Sequence, residues 1–157
     1  MIKIISKSVK DTLKIGRAIA QNLEKGDILC LFGELGSGKT VLVKGIAYGL
    51  GIKSDQVISP TFVLLRQYAG SGIPLYHFDF YRLNSAAEIA GLGYEEYFYG
   101  EGITVIEWPD RMQHLLPRDY LEISFSILGA KRRRLDFRGT GKRFGGILRK
   151  LHEDIRH

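Results

Sequence analysis

Residues 33–40 read Gly33-Glu34-Leu35-Gly36-Ser37-Gly38-Lys39-Thr40 and match the phosphate-binding pattern G-x-x-x-x-G-K-[ST] at every required position. Glycines let the backbone of such a loop curl so that successive N–H groups face a chain of phosphates. The lysine reaches the terminal phosphates, and the final hydroxyl is offered to Mg²⁺. The sequence therefore predicts that residues 33–40, together with the adjoining Val41, bind a nucleoside triphosphate.

The segments on either side of this loop have the character that the pattern requires. Residues 27–32 form a short apolar stretch typical of a buried parallel strand, and they include the only cysteine, Cys30, predicted to be a small core residue. Apolar residues recur at helical spacing from Lys39 to Leu50, and Gly51 follows where a helix C-terminus favours a residue without Cβ. This order of strand, loop and helix favours a true phosphate site over a chance match.

The remaining sequence alternates between predicted strands and predicted helices. Strands are predicted at residues 2–5, 62–68, 75–81 and 103–106, a hairpin at 121–128 and 134–138, and further helices from Val9 to near Gly26, at 85–89 and at 144–155. Alternation through the first two thirds predicts a mainly parallel central sheet with helices on both faces, to which the hairpin adds an antiparallel margin. We therefore predict an α/β P-loop NTPase fold in a single domain over residues 1–157, because no linker or repeat divides the chain.

Composition limits the class of protein. The chain has 157 residues, 45% of them hydrophobic, which is enough for one core. No run of about 18 apolar residues could cross a bilayer, and the apolar start at residues 1–5 is too short for a secretory signal. We expect a cytoplasmic protein with no membrane partner. The net charge of +6 suits RNA or nucleotide alone, and the basic run at 131–134 is interpreted as a solvated turn rather than a nucleic-acid contact.

Two acidic residues follow apolar strands and are candidates for the metal site. Hydrolysis of a triphosphate needs a carboxylate near Mg²⁺ and a group that orients the attacking water. Asp79 ends the segment Tyr76-His77-Phe78-Asp79, and Glu107 ends Thr104-Val105-Ile106-Glu107. Because ligands of such sheets bind at the carboxyl ends of the strands, both acids are predicted to lie near the ion with Thr40. The sequence does not rank them.

Several neighbouring residues have two interpretations each. Ser59-Pro60-Thr61 is either a plain turn or a switch segment whose Thr61 hydroxyl reaches the metal or the γ-phosphate when triphosphate is bound. Trp108, the only tryptophan, is either a half-buried anchor or an indole close enough to the nucleotide to sense it. His77 is interpreted as a packing or hydrogen-bonding residue rather than a general base. The sequence assigns no phosphate contact among Arg66, Arg82 and Arg111.

Four motifs together carry a family resemblance. They are the loop at 33–40, Ser59-Pro60-Thr61-Phe62, His77-Phe78-Asp79-Phe80-Tyr81-Arg82-Leu83, and Ile106-Glu107-Trp108-Pro109. In order and spacing they resemble the TsaE family, bacterial ATPases of tRNA threonylcarbamoyladenosine biosynthesis, and the likeness spans essentially the whole chain. Many families share the P-loop, whereas the H-x-D-x-Y-R and E-W-P elements are far more specific.

The resemblance implies a small ATPase that joins the TsaB and TsaD proteins. Those proteins install the threonylcarbamoyl group on adenosine 37 of tRNAs that read codons beginning with A, so the relation to tRNA would be indirect. ATP and Mg²⁺ are the implied cofactors. Thr40 would hold the metal with Glu107 or Asp79, and Lys39 and Glu107 would be the catalytic residues.

The resemblance also extends the predicted nucleotide site. Thr61 and Trp108 are expected to contact the nucleotide, and residues 6–12 are expected to lie against its base or ribose. Weak activity in isolation is expected as well, because no arginine finger is evident and a partner would complete the site.

Other classes of nucleotide-binding protein remain as alternatives. The runner-up is a small-molecule P-loop kinase, which needs a substrate pocket and usually an arginine-rich lid; the only arginine cluster lies in the predicted hairpin. A GTP-driven switch normally carries an Asn-Lys-x-Asp segment, which this chain lacks. A nucleotide-binding module without catalysis would differ from an ATPase only by showing no hydrolysis.

Overall fold

The computed structural model describes residues 1–60, 62–70 and 72–156. Within these residues the strands are β1 (Ile2–Ser6), β2 (Ile28–Phe32), β3 (Leu65–Tyr68), β4 (Leu75–Asp79), β5 (Ile103–Glu107), β6 (Leu121–Ile127) and β7 (Arg133–Gly139). The helices are α1 (Val9–Ala20), α2 (Lys39–Gly49), α3 (Ala86–Ala90), α4 (Glu95–Phe98) and α5 (Lys142–Arg156), with short 3₁₀ segments at Ser54–Gln56 and Pro109–Leu115. None of the helices in the described ranges is long and apolar enough to cross a membrane.

The described strands form one seven-stranded sheet in the order β1-β7-β6-β2-β5-β4-β3. The three central pairs, β6 with β2, β2 with β5 and β5 with β4, are parallel. The outer pairs, β1 with β7, β7 with β6 and β4 with β3, are antiparallel. The predicted parallel centre is confirmed, and antiparallel pairing occurs at both edges of the sheet instead of at the hairpin alone.

The central strands are buried on both faces, as a helix-covered parallel sheet requires. Along β2, Leu29 and Leu31 join the core cluster that contains residues of α1, α2 and α5. The alternate residues Ile28 and Cys30 join the cluster formed with α3, α4 and the 3₁₀ segment at Pro109–Leu115. Helices therefore cover both faces, as predicted. Cys30 is buried, and this burial raises the pKa of its thiol, which fits a core residue.

The helix predicted from Val9 to near Gly26 ends at Ala20, and two strands also have boundaries that differ from the sequence-based prediction. The strand predicted at 62–68 begins at Leu65, because the Pro60 carbonyl accepts the N–H groups of Val63 and Leu64 at 3.1 and 2.7 Å. Leu64 adopts a φ of 68°, a turn conformation incompatible with a strand. The strand predicted at 75–81 ends at Asp79, because the chain turns there. Thr61 lies outside the described residues.

Helices α1 and α2 pack through glycines. A Cβ atom added to Gly45 of α2 would lie 2.4 Å from the carbonyl oxygen of Leu13, and one added to Gly16 of α1 would lie 2.6 Å from the carbonyl oxygen of Leu42. Both neighbours are backbone atoms of the facing helix, so they cannot rotate away. The missing side chains therefore bring the two helix backbones into direct contact.

Replacing Gly45 by alanine is expected to lower the free energy of unfolding by about 1–3 kcal/mol, because the new methyl group overpacks this contact. Urea unfolding measures the change. Gly145→Ala on α5 is the matched control, since a Cβ atom there meets nothing within 4 Å. Alanine at that helical position is expected to be stabilising by roughly 0.5–1 kcal/mol. If Gly45→Ala and Gly145→Ala had equal free energies of unfolding, α1 and α2 would be able to move apart around the new methyl group at no cost, which would contradict this prediction.

Candidate nucleotide-binding site

The candidate site lies at the carboxyl ends of the parallel strands, where the loop at residues 33–40 joins β2 to α2. On the next strand, β5, Glu107 is in register with Leu31 of β2. On the strand beyond, β4, Asp79 is in register with Glu107. The topology thus places the two acids that sequence reasoning selected side by side, next to the glycine-rich loop.

The loop has the backbone conformation that its glycines allow. Gly38, which precedes the first residue of α2, has a φ of 103°, in the left-handed region. Gly33 has no room for a side chain: an added Cβ atom would lie 2.7 Å from the Ser37 hydroxyl and 3.0 Å from Phe125 of β6. The Ser37 hydroxyl is buried and makes no hydrogen bond in the part of the chain that is described. This unsatisfied polar atom, with the start of α2, fits an anionic phosphate chain.

Lys39 is a desolvated cation at the centre of the loop. Its ammonium group donates to the Gly33 carbonyl and lies 3.9 Å from the centroid of the Trp108 indole ring, and only 5% of the residue is exposed. Burial lowers the pKa of Lys39, and this shift is opposed by the charges of Glu107, Asp79 and Asp110. A poorly hydrated ammonium held by a carbonyl and an aromatic face is suited to binding phosphate oxygens.

Thr40, Glu107 and His77 form a hydrogen-bonded row across α2, β5 and β4. The Thr40 hydroxyl lies 3.1 and 3.2 Å from the two carboxylate oxygens of Glu107, to which it donates. His77 Nε2 lies 2.5 Å from Glu107 Oε2, and both side chains are buried. A hydroxyl that donates to a carboxylate keeps its lone pairs for a metal ion. The contact to Glu107 confirms the interpretation of His77 as a hydrogen-bonding residue.

Asp79 contacts the segment that was interpreted as either a turn or a switch. The Ser59 hydroxyl donates to Asp79 Oδ2 at 3.2 Å, and the Tyr81 N–H donates to Asp79 Oδ1 at 2.9 Å. The residues before position 61 are therefore linked directly to one of the two acids. The predicted contact of Thr61 with metal or phosphate lies outside the described residues.

Two cavities meet at the loop. One, of about 260 Å³, is lined by residues 35–41 together with Ser59, Asp79, Glu107 and Trp108. The other, of about 470 Å³, lies between the start of α1, the loop, and the turn of the β6–β7 hairpin. The second cavity contains Ser8, Lys10 and Thr12 from the segment expected near the base or ribose. The predicted phosphate and nucleoside residues thus line adjoining cavities.

The aromatic residue beside Glu107 lies at the first of these cavities. Trp108 adopts a left-handed φ of 59°, is partly exposed, and packs its ring 5.0 Å from that of Tyr81. Its indole is therefore both partly buried and adjacent to Lys39.

None of the three arginines considered from the sequence is among the described residues that line the two cavities. The guanidinium of Arg82 stacks 3.9 Å from the ring centroid of Phe62, and that of Arg111 lies 5.7 Å from the Trp108 ring. Arg66 lies on β3, where it pairs with His77 in the sheet.

A fourth arginine, which the sequence did not single out, contacts the glycine-rich loop. Arg133, within the basic run at 131–134, donates from Nε to the Ser37 carbonyl and from Nη2 to the Gly36 carbonyl, both at 3.1 Å. The interpretation of the run as a solvated turn is correct for Lys131 and Arg132, which are exposed, but wrong for Arg133. Because β6 runs parallel to the neighbouring β2, the carboxyl ends of both strands lie on the same side of the sheet. The hairpin turn after β6 is therefore close to the loop after β2. Sequence reasoning had no evidence of that pairing.

The glycine-rich loop between β2 and α2, with acids at the ends of the next two parallel strands, defines an α/β P-loop fold. The chain belongs to the TsaE family, described as "Threonylcarbamoyl adenosine biosynthesis protein TsaE", which it matches over residues 6–135. The resemblance inferred from the four motifs is thereby confirmed, and the chain is a member of a family of tRNA threonylcarbamoyladenosine biosynthesis proteins.

Individual relatives agree with this assignment. The chain is 37% identical to the tRNA threonylcarbamoyladenosine biosynthesis protein TsaE of Bacillus subtilis, over 93% of this chain and 92% of that protein. It is 42% identical to the protein of the same name from Treponema pallidum, over 81% of this chain and 93% of the relative. The crystal structure of Bacillus subtilis YdiB superposes with a TM-score of 0.82 at 32% identity and covers 98% of this chain and 95% of that chain.

Proposed function

We propose that this protein is a Mg²⁺-dependent ATPase that works with the TsaB–TsaD complex and supports formation of the threonylcarbamoyl group on adenosine 37 of tRNAs reading codons beginning with A. The single observation that carries the ATPase proposal is the row formed by Thr40, Glu107 and His77 beside the Lys39 loop. A hydroxyl that could ligate a metal and a buried carboxylate, both beside the glycine-rich loop, are the groups that hydrolysis of a terminal phosphate requires. Membership of the TsaE family supports the assignment to the tRNA modification pathway.

The contacts of each residue support a specific proposed role. Lys39 neutralises charge on the terminal phosphates, and the N–H groups of the loop bind phosphate oxygens. Thr40 would hold the metal with Asp79 or Glu107, and Glu107, which accepts from the Thr40 hydroxyl, would also orient the attacking water. Bound Mg²⁺ supplies charge neutralisation and polarises the phosphoryl group. His77, fully buried behind Glu107, keeps that carboxylate directed at Thr40.

Dependence on a partner protein is supported by the surface around the phosphate cavity. Leu35 of the loop is 62% exposed, and Phe62 and Val63, which follow Pro60, are 78% and 53% exposed. Large apolar side chains exposed beside a binding site are typical of surfaces that another protein covers. The cationic side chain that would act as an arginine finger is proposed to come from that partner.

The decisive experiment is ATP hydrolysis by the purified protein alone and then mixed with the TsaB and TsaD proteins of the same organism. We expect turnover well below about 1 per second alone and clear stimulation in the mixture. The Lys39→Ala variant serves as the control for contaminating ATPases. Rapid turnover without partners would contradict partner dependence. Phosphate transfer to a metabolite without stimulation would instead indicate the small-molecule kinase.

The fluorescence of Trp108 is expected to change when MgATP binds, because the Lys39 ammonium that now lies on the indole would turn to the phosphates. A titration of the wild-type protein measures the change, and the chain offers a clean signal because Trp108 is its only tryptophan. Binding confirmed by calorimetry with no change in emission would show that the indole does not sense the nucleotide.

A further inference from the structure

Arg133 lies against the phosphate loop although it belongs to a distant part of the chain. Its Nε and Nη2 groups donate to the Ser37 and Gly36 carbonyls at 3.1 Å each. Its Nη1 group donates to carbonyls of its own hairpin, at 2.7 Å to Gly129 and 3.0 Å to Arg132. One guanidinium therefore bridges the loop and the hairpin turn.

The contacts to the loop constrain its peptide planes. In a trans peptide the N–H and C=O groups point in opposite directions, so fixing a carbonyl also fixes the N–H of the next residue. The Ser37 carbonyl, held by Arg133 Nε, shares its peptide plane with the Gly38 N–H. That N–H consequently points away from Arg133. A phosphate loop works through such oriented N–H groups. The Gly38 carbonyl accepts the Leu42 N–H at 3.1 Å, and the bond from Arg133 restricts the peptide plane on the other side of this glycine.

The contacts of Arg133 to the hairpin join one wall of the larger cavity to the loop. Ala130, Lys131 and Arg133 form one wall of the larger cavity, and Gly36 and Gly38 lie at its junction with the smaller one. Since the guanidinium is bonded to carbonyls on both sides, the hairpin wall and the loop are held at a fixed distance.

We propose that Arg133 is a positioning residue that orders the phosphate loop and ties the hairpin wall of the larger cavity to it. This inference rests on the proposed function, because it takes residues 33–40 to be the ATP phosphate site. In this arrangement Arg133 acts through the backbone of the loop, since Nε, Nη1 and Nη2 each donate to a main-chain carbonyl.

The test compares Arg133→Ala and Arg133→Lys with Arg132→Ala, a matched control that removes the same charge from an exposed residue of the same hairpin. Calorimetry measures the affinity of each variant for MgATP and MgADP. We expect Arg133→Ala to weaken both affinities equally, by about tenfold, and Arg132→Ala to change them less than about twofold. Arg133→Lys is expected to remain weak, because an ammonium cannot reproduce the planar fork that bridges two carbonyls.

Rescue of the Arg133→Ala variant by free guanidinium distinguishes the loss of a contact that positions the loop from a general loss of fold stability. Millimolar guanidinium chloride, far below denaturing concentrations, is expected to restore nucleotide affinity to Arg133→Ala, whereas the same concentration of sodium chloride is not. Loss of ATP affinity with ADP affinity unchanged would overturn the proposal and indicate a contact to the γ-phosphate. Full affinity in Arg133→Ala or in Arg133→Lys would also overturn it. Failure of the wild-type protein to bind ATP would refute the proposed function instead.

Discussion

Lys39→Ala is expected to weaken MgATP affinity by at least about a hundredfold, since it removes the cation that the loop presents at the proposed phosphate site. The same substitution is not expected to destabilise the fold. Burial lowers the pKa of Lys39 below its usual value, so its charged form is disfavoured by folding at every pH below the folded-state pKa. Removing that charge relieves a desolvation penalty that exceeds the attraction of Lys39 to Glu107, Asp79 and Asp110.

Calorimetry and urea unfolding on the same preparations check both parts of this prediction. Lys53→Ala is the control, because Lys53 is exposed and follows α2, away from the loop. We expect the control to match the wild-type protein in affinity and in stability. Wild-type affinity in Lys39→Ala would show that nucleotide does not bind at residues 33–40. A large loss of stability would show that the buried ammonium is structural.

Glu107→Gln is expected to reduce partner-stimulated ATP turnover by about 10²–10⁴-fold while preserving most of the nucleotide affinity. Glutamine keeps the length of the side chain and an oxygen that accepts from Thr40, but it removes the negative charge that we propose acts on water and metal. The isosteric change is preferable to alanine, because alanine would leave the buried imidazole of His77 and the partly buried hydroxyl of Thr40 without their partner.

Thr40→Ala provides the comparison for Glu107→Gln. We expect it to weaken binding that depends on Mg²⁺, measured as the difference in ATP affinity with and without the ion. If both variants lose Mg²⁺-dependent binding equally, Glu107 ligates the metal directly and does not act chiefly on water. If Glu107→Gln retains full turnover, the carboxylate has no catalytic role.

The parts of the site that sequence could predict are those carried by local patterns. The loop at 33–40 and the helix after it follow from glycine spacing and apolar periodicity within about 20 residues. Asp79 and Glu107 could be selected because each ends an apolar strand, and parallel strands align their carboxyl ends. Predicting that the sheet is parallel at its centre was therefore sufficient to bring these acids together.

The parts that could not be predicted depend on which strands are neighbours. Arg133 reaches the loop only because β6 pairs with β2, a contact between segments about 90 residues apart that leaves no periodic signal. His77 meets Glu107 because β4 and β5 are adjacent and in register. The late start of β3 at Leu65 depends on the turn after Pro60, which an apolar run of residues does not reveal.

The glycine contact between α1 and α2 sets the spacing between the two cavities. The first residues of α1 line the larger cavity, and α2 begins inside the phosphate loop. Backbones in direct contact at Gly16 and Gly45 cannot slide past each other without a clash. The contact between the two helices therefore fixes the distance between the two cavities. A ligand that occupies both cavities must fit that distance.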